Sequence, residues 1–543
     1  MVDQAAEPSA PLSRGVEFRG ARAAKNSLYF LGGQVFVLAI ALVTTPIVLN
    51  RIGLVEFGIW TVAITTVNYI TIIDPGFGDL VTRYGAQAAV KGESRVAARI
   101  CALGSLIWMG FGLLLAPLVY LLVPVLVHHI RHLNPGVGPA AINFIYWTFG
   151  LVVFGSILST LSGRLVARGE QWIITIIDAT SRVVYAVVLI TLLVFHWRLS
   201  AIVAATTTQY LLAYGATYVA VWVRDGHPYA SPRGLERSLL RQFFRFGGLL
   251  QLNSVLDTLT FDTDPVVIWL FVSAGASGLW AVAQRLGRLT AFFATAVQSN
   301  VLPGISAAHA AEEGLIAMRR IYVKANRVIF LLGAFVGGVF IACGPLLMKA
   351  WLGRPFFGAS IALVMVVLVM IAGLPRSVTG NAILAMGRVG LGVRAQWLAF
   401  GVNIVLTVAL VAPFGLNGVL TATVFAKVAA TGYLLVRFSK VLESSWRELI
   451  LPWMVPVVLV TAVCSALGRL ALHFWPSAVL SRPSAFGALL AIGGAYSVFY
   501  VLGLRLTHYF SNDDLAWLKR SAPGKLGSLL SPGVVHLLSG QRP

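Results

Sequence analysis

Apolar stretches of about 20 residues follow one another along almost the whole chain, separated by short polar connections. Fourteen can be drawn, at roughly 28–49, 57–80, 100–127, 140–163, 172–195, 199–223, 246–271, 278–302, 328–351, 357–385, 391–412, 415–436, 449–473 and 484–505. Each is long enough to cross a hydrocarbon core of about 30 Å as a helix. The stretches are continuously apolar and lack the in–out alternation of membrane-barrel strands. Lipid offers no partner for open backbone groups, so helices are the remaining way across. The predicted fold class is an all-α polytopic membrane protein with about 14 transmembrane helices.

Composition agrees with that pattern. Of 543 residues, 58% are hydrophobic and 11% charged, against about 25% charged in soluble proteins. The net charge of +21 would point to nucleic acid if the bases formed a patch. Instead they fall in the connections, where Lys and Arg hold a loop on the cytoplasmic side. With residues at span ends assigned to the adjoining connection, alternate connections hold 29 Lys and Arg on the N-terminal side and 6 on the other. Both termini are therefore expected in the cytoplasm. The first span is longer than a signal-peptide core, has no A-x-A-like site after it, and follows a basic arm, residues 1–25, with Arg14, Arg19, Arg22 and Lys25. Cys101, Cys343 and Cys464 lie far apart in or beside apolar spans, so neither a disulfide framework nor a metal site is expected. The Gly-, Ser- and Pro-rich tail, residues 507–543, is expected to be partly disordered, with a short interfacial helix near Asp513–Arg520.

The chain repeats itself. The run from Phe57 to Ala63 (FGIWTVA) recurs from Ser277 to Ala283 (SGLWAVA). Arg99-Ile100 recurs as Arg320-Ile321, and Leu199–Thr206 (LSAIVAAT) as Leu416–Thr423 (LNGVLTAT). The offsets nearly agree and enclose six spans. An even number returns the chain to the same side, so the two copies are parallel and related by an axis along the membrane normal. The expected domains are a six-helix bundle at 26–235, a second at 236–437, two further spans at 438–506 and the tail. The basic stretch Arg224–Arg245 joins the halves. The last two spans either extend a lipid-facing groove or pack on the outside.

Ionisable residues inside spans are costly and mark functional sites by default. The basic ones are Arg182, Arg285, Arg288, Arg376, Lys427 and Arg469; the acidic ones are Asp74, Asp178, Asp257, Asp262 and Asp264. Asp178 and Arg182, four apart, share a helix face and can pair. Similar depths allow Asp262 or Asp264 to pair with Arg285 or Arg288 across a hairpin. Arg376 and Lys427 have no acid nearby in their own spans and suit an anionic ligand, with the Arg fork fitted to phosphate oxygens. Arg182, Arg285 and Arg288 complete the expected cavity set. The five Asp are candidates for ion coupling or ion pairing. Arg469, near a span end, can snorkel. Asp74-Pro75-Gly76-Phe77-Gly78 interrupts the second span and predicts a kink, either a hinge or a packing feature. No catalytic constellation, cofactor motif or GxxxxGK[ST] loop is present. The expectation is a transporter, not an enzyme, driven by an ion gradient, membrane potential or substrate supply.

The stretch from Pro46 through Leu49-Asn50-Arg51-Ile52-Gly53-Leu54-Val55-Glu56-Phe57-Gly58-Ile59-Trp60 resembles the first loop of bacterial polysaccharide flippases. So does Asp74-Pro75-Gly76-Phe77-Gly78 followed by Thr82-Arg83-Tyr84, and so does the second copy, Gly278–Leu286. These are the Wzx-like proteins of the multidrug/oligosaccharidyl-lipid/polysaccharide (MOP) superfamily, and the resemblance covers roughly residues 26–510. It implies two six-helix bundles plus two helices around a V-shaped cavity. The implied cargo is undecaprenyl-pyrophosphate carrying an oligosaccharide repeat unit, passed to a polysaccharide polymerase and chain-length machinery for O-antigen, capsule or exopolysaccharide. Within its motif only Arg83 carries over from the family. The rivals are an ion-coupled multidrug exporter of the same superfamily, with Asp257 the residue to watch, and a lipid II flippase. A membrane glycosyltransferase or polymerase is a third, but the outer loops are too short for one; the longest runs from about His128 to Pro139.

Overall fold

The computed structural model describes residues 13–71, 94–128, 138–168, 170–231, 255–310, 314–353, 359–386, 388–474 and 481–507, together with 252 and 509. Asp74, the Asp74–Gly78 interruption, Arg83, most of the His128–Pro139 loop, the end of the Arg224–Arg245 join and the tail beyond 509 lie outside the described residues. Among the described residues all regular structure is helical. In chain order the helices are α1 (Ser13–Thr71), α2 (Ser94–His128), α3 (Gly138–Ala167), α4 (Gln171–Val194), α5 (Arg198–Asp225), α6 (Asp264–Phe271), α7 (Ala274–Ala310), α8 (Gly314–Trp351), α9 (Ala359–Ala385), α10 (Val389–Val441), α11 (Trp446–Phe474) and α12 (Arg482–Leu506). Nine of these are long and apolar enough to cross a membrane. The protein is a multi-pass membrane protein. α5, with its Thr206–Gln209 run, and α7, with Gln284, Arg285 and Arg288, are equally long but more polar. α1 begins at Ser13, so the basic stretch Arg14–Lys25 continues the first span as helix.

Two helices each carry two of the expected spans, broken at a glycine. Gly53 in α1 has φ 81° and ψ 173°, and Gly415 in α10 has φ 54° and ψ −128°. A side chain is disfavoured in such conformations, which glycine adopts freely. In α10 the break is a reversal. Asn403 Nδ2 donates to Thr423 Oγ1 at 3.2 Å, although 20 residues of straight helix would hold them about 30 Å apart.

The chain forms two compact units. The first comprises 1–51, 73–126 and 139–248; the second comprises 52–72, 127–138 and 249–543. In the first unit, small and hydroxyl residues let helices approach and bond, as expected in lipid. Ser105 Oγ on α2 donates to the Ile157 carbonyl on α3 at 2.6 Å, and Trp147 Nε1 on α3 donates to Thr207 Oγ1 on α5 at 2.9 Å. In the second unit, α8 is the central helix: α7, α9, α11 and α12 all pack on it. Its core joins Tyr322, Ile329, Phe330 and Leu346 to Phe438, Trp453, Tyr496 and Tyr500. The last two spans therefore pack on α8. The second unit also holds both the FGIWTVA motif and its SGLWAVA copy. A side chain at Gly58 would strike the Ala274 carbonyl, and one at Gly278 would strike the Leu54 carbonyl. The glycines of the two repeat copies thus permit one close helix crossing.

Candidate functional site

The polar residues of the second unit gather around a break in the span at 246–271. Residues 255–261 are helical; the chain turns at Asp262 and Thr263 and restarts as α6 with Asp264 and Pro265 in its first turn. Proline suits that position because its missing N–H has no helical partner there, and an acid suits a helix N-terminus. Broken helices are tolerated at membrane depth where they line a cavity. Here the break faces a cavity of about 320 Å³ lined by Asp257, Asp262, Asp264, Arg288, Ser377 and Lys427, among others.

Asp257, half exposed, accepts hydrogen bonds from Arg376 Nη1 at 2.8 Å and from Gln396 Nε2 at 2.7 Å. Gln396 is fully buried, and its Oε1 has no partner among the described residues. Phe261, one turn after Asp257, offers its ring face to both cations. Lys427 Nζ is 3.5 Å from the ring centroid and the Arg376 guanidinium 5.8 Å, within range for cation–π attraction. Gly373 makes room for the lysine: a side chain there would lie 2.7 Å from Lys427 Cε. Among the described residues, no carboxylate lies within ion-pairing distance of Lys427.

Asp264 is buried, at 4% exposure. Both its oxygens lie 3.0 Å from Thr423 Oγ1, which is also 3.1 Å from the Val419 carbonyl. The hairpin pairing expected for Asp264 is thus replaced by a hydroxyl from α10. Arg285 instead lies over the rings of Phe57 and Trp60, at 5.0 and 4.7 Å. Asp262 and Arg288 are exposed on the cavity wall. The chain turns at 262–263, so Asp264 opens α6 and does not continue the helix of residues 255–261.

In the first unit, Asp178 and Arg182 form the expected pair. Arg182 Nε is 3.2 Å from both carboxylate oxygens, and the side chains are 41% and 40% exposed. Sequence reasoning missed Gln396, Asn403, Thr423 and Phe261. Its signal was available: Gln396 and Asn403 stand seven apart, and Thr423 and Lys427 four apart, each pair on one helix face.

Arg288 and Lys427 line the cavity, and Arg376, tied to Asp257, stands behind that lining residue. The cluster fits a charged headgroup. A family model described as "polysaccharide biosynthesis protein" matches residues 23–309, just over half the chain, and takes in both copies of the repeated motif. The chain belongs to the polysaccharide biosynthesis protein family. Curated proteins give no significant match. Among solved structures, the family member is similar to a lipid II flippase, MurJ, in an inward closed conformation: TM-score 0.62, 14% identity, covering 88% of this chain and 99% of that one. It is also similar to an inward-facing multidrug resistance MATE family transporter of the MOP superfamily, with TM-score 0.55, 13% identity and coverage of 77% and 95%. A eukaryotic MATE transporter gives TM-score 0.55, 15% identity and coverage of 80% and 99%. At these identities the likeness concerns the fold, which the chain shares with these flippase and transporter structures.

Proposed function

We propose that this protein flips undecaprenyl-pyrophosphate-linked oligosaccharide repeat units from the cytoplasmic to the periplasmic leaflet of a bacterial inner membrane. It does so by alternating access, with both termini cytoplasmic, and supplies O-antigen, capsule or exopolysaccharide synthesis. Two six-span repeats, 26–235 and 236–437, plus two added spans carry the movement. The observation that carries this reading is the gathering of Arg376 and Lys427 around one ring, Phe261, which lines a cavity with Lys427 and Arg288, in a chain of the polysaccharide biosynthesis family. Arg376, Lys427 and Arg288 would hold the pyrophosphate. The Arg fork supplies paired hydrogen bonds and the lysine a point charge.

Asp264 is the place for a coupling ion. It has no cationic partner among the described residues and faces one hydroxyl, so a proton or small cation would find its charge uncompensated.

The test is flipping of a fluorescent undecaprenyl-pyrophosphate oligosaccharide in proteoliposomes. Arg376→Ala and Lys427→Ala should each slow it at least about tenfold, a loss on the order of 1.4 kcal/mol, with the folded yield unchanged. Flipping that both variants leave intact would discard these residues and keep the function. Export of cationic dyes without any flipping would replace the reading with the multidrug exporter, and flipping of lipid II alone would replace the cargo.

A further inference from the structure

A second cavity lies on the opposite side of α9 from the polar one. The polar cavity is lined by Val366, Val369, Met370, Gly373, Leu374 and Ser377, the i, i+3, i+4, i+7, i+8, i+11 pattern of a single helix face. The second is lined from α9 by Leu368 and Ile371. At 3.6 residues per turn these point to the other side of the helix. The second cavity has about 330 Å³. α9 and α11 both pack along α8, and the cavity is the groove they leave above Phe330, Ala334 and Ile341 of α8. Its α11 wall is the stripe Val458, Thr461, Ala462, Ser465, Ala466 and Arg469, again one face. Ala462 and Ala466 are exposed, and Val458, Leu467 and Leu470 near them are 45%, 48% and 54% exposed. In a membrane-spanning helix such a face meets lipid.

The groove is apolar except at one end. Arg469, the one charged residue in its lining, is less than two turns before the end of α11 at Phe474. Its guanidinium lies over Gly344 of α8, 3.6 Å from where a side chain would begin. Among the described residues it makes no hydrogen bond or ion pair. A half-buried guanidinium whose five donors are taken up by no described residue, at the mouth of an apolar groove and near a helix end, matches a phosphodiester headgroup with its hydrocarbon chain.

We propose that this groove is a resident site for an anionic glycerophospholipid, with one acyl chain between α9 and α11 and the phosphate on Arg469. Because α9 separates the groove from the polar cavity, the occupant is not the tail of a cargo seated by Arg376 and Lys427. The site is independent of the flippase reading.

The full-length protein in detergent tests this, with phosphatidylglycerol and phosphatidylcholine of identical chains as probes. Lipid retention is read by native mass spectrometry and Tm by thermal unfolding. Phosphatidylglycerol should be retained and raise Tm by about 3 °C, while phosphatidylcholine does neither. Arg469→Gln should abolish the difference between the two lipids. Ala466→Phe, or Ala462→Phe if the first folds poorly, should block retention by filling the groove. Equal stabilisation by both lipids, or phosphatidylglycerol retention untouched by both Arg469→Gln and the filling variant, overturns the proposal. Displacement of phosphatidylglycerol from wild type by undecaprenyl phosphate at equal concentration also overturns it, because the groove would then belong to the carrier.

Discussion

Two charged clusters, one in each unit, use the same residue types to opposite ends. In the first unit Arg164, at 3% exposure, meets Asp225 at 2.5 Å and donates to the His227 and Pro228 carbonyls at 2.6 and 2.8 Å. Arg168 binds the same aspartate, and Arg224 binds Glu170 at 3.0 Å. The ends of α3 and α5 and the start of α4 are thereby tied together. In the second unit Asp257 holds Arg376, but among the described residues Lys427 has only the Phe261 ring, and Arg288 and Asp262 stand exposed on a cavity wall. A cluster whose donors and acceptors are matched internally holds helices in place. One with unmatched cations keeps bonding capacity for a ligand.

The sharpest break of this contrast is Arg164→Ala. It leaves a buried carboxylate short of a partner and two carbonyls without donors. Removing one partner of such a pair costs about 3–5 kcal/mol. Purified protein should show a clearly lowered Tm or a collapse in folded yield, while flipping per folded molecule stays near wild type. A Tm within a degree of wild type would place this network among open clusters of the second unit's kind.

The same contrast explains how much was legible in the chain. Spans, their helical character and the multi-pass fold followed from apolar length, because lipid leaves few alternatives. Asp178–Arg182 was readable because four residues along one helix is a fixed geometry. Asp257 and Arg376 are 119 residues apart on different helices, and no periodicity along one span brings them together. Arg376 has no acid nearby in its own span, and Asp257 reaches it from another helix. The same limit hid Asp264 and Thr423, 159 residues apart. Their contact needs both the break at 262–263 and the reversal at Gly415, and a hydropathy pattern registers neither as a direction in space.

Asp257→Asn probes the open cluster from its acidic side. The carboxylate now competes with any phosphate for Arg376, so its removal should tighten binding of the pyrophosphate carrier. The gain should be roughly fivefold, about 1 kcal/mol, with a steeper dependence on salt. Flipping should slow, since release is hindered and Arg376 has lost its anchor. Equilibrium binding to protein in detergent, titrated against ionic strength, reads this directly. Weaker binding would show that Asp257 positions Arg376 more than it competes.

The smallest effect belongs to Asp178→Asn. This pair resembles the closed network in that each charge faces its opposite, yet both side chains are about two-fifths exposed. Exposed i, i+4 pairs on helices are worth about 0.3–0.5 kcal/mol. Loss of the acid should move Tm by no more than about 1 °C and leave flipping within about twofold. The variant also frees Arg182, and that sharpens the comparison. If freeing it tightens carrier binding as Asp257→Asn is expected to, Arg182 itself takes part in holding the carrier. If binding is unmoved, the pair is a local helix brace, and the anion site is confined to Arg288, Arg376 and Lys427.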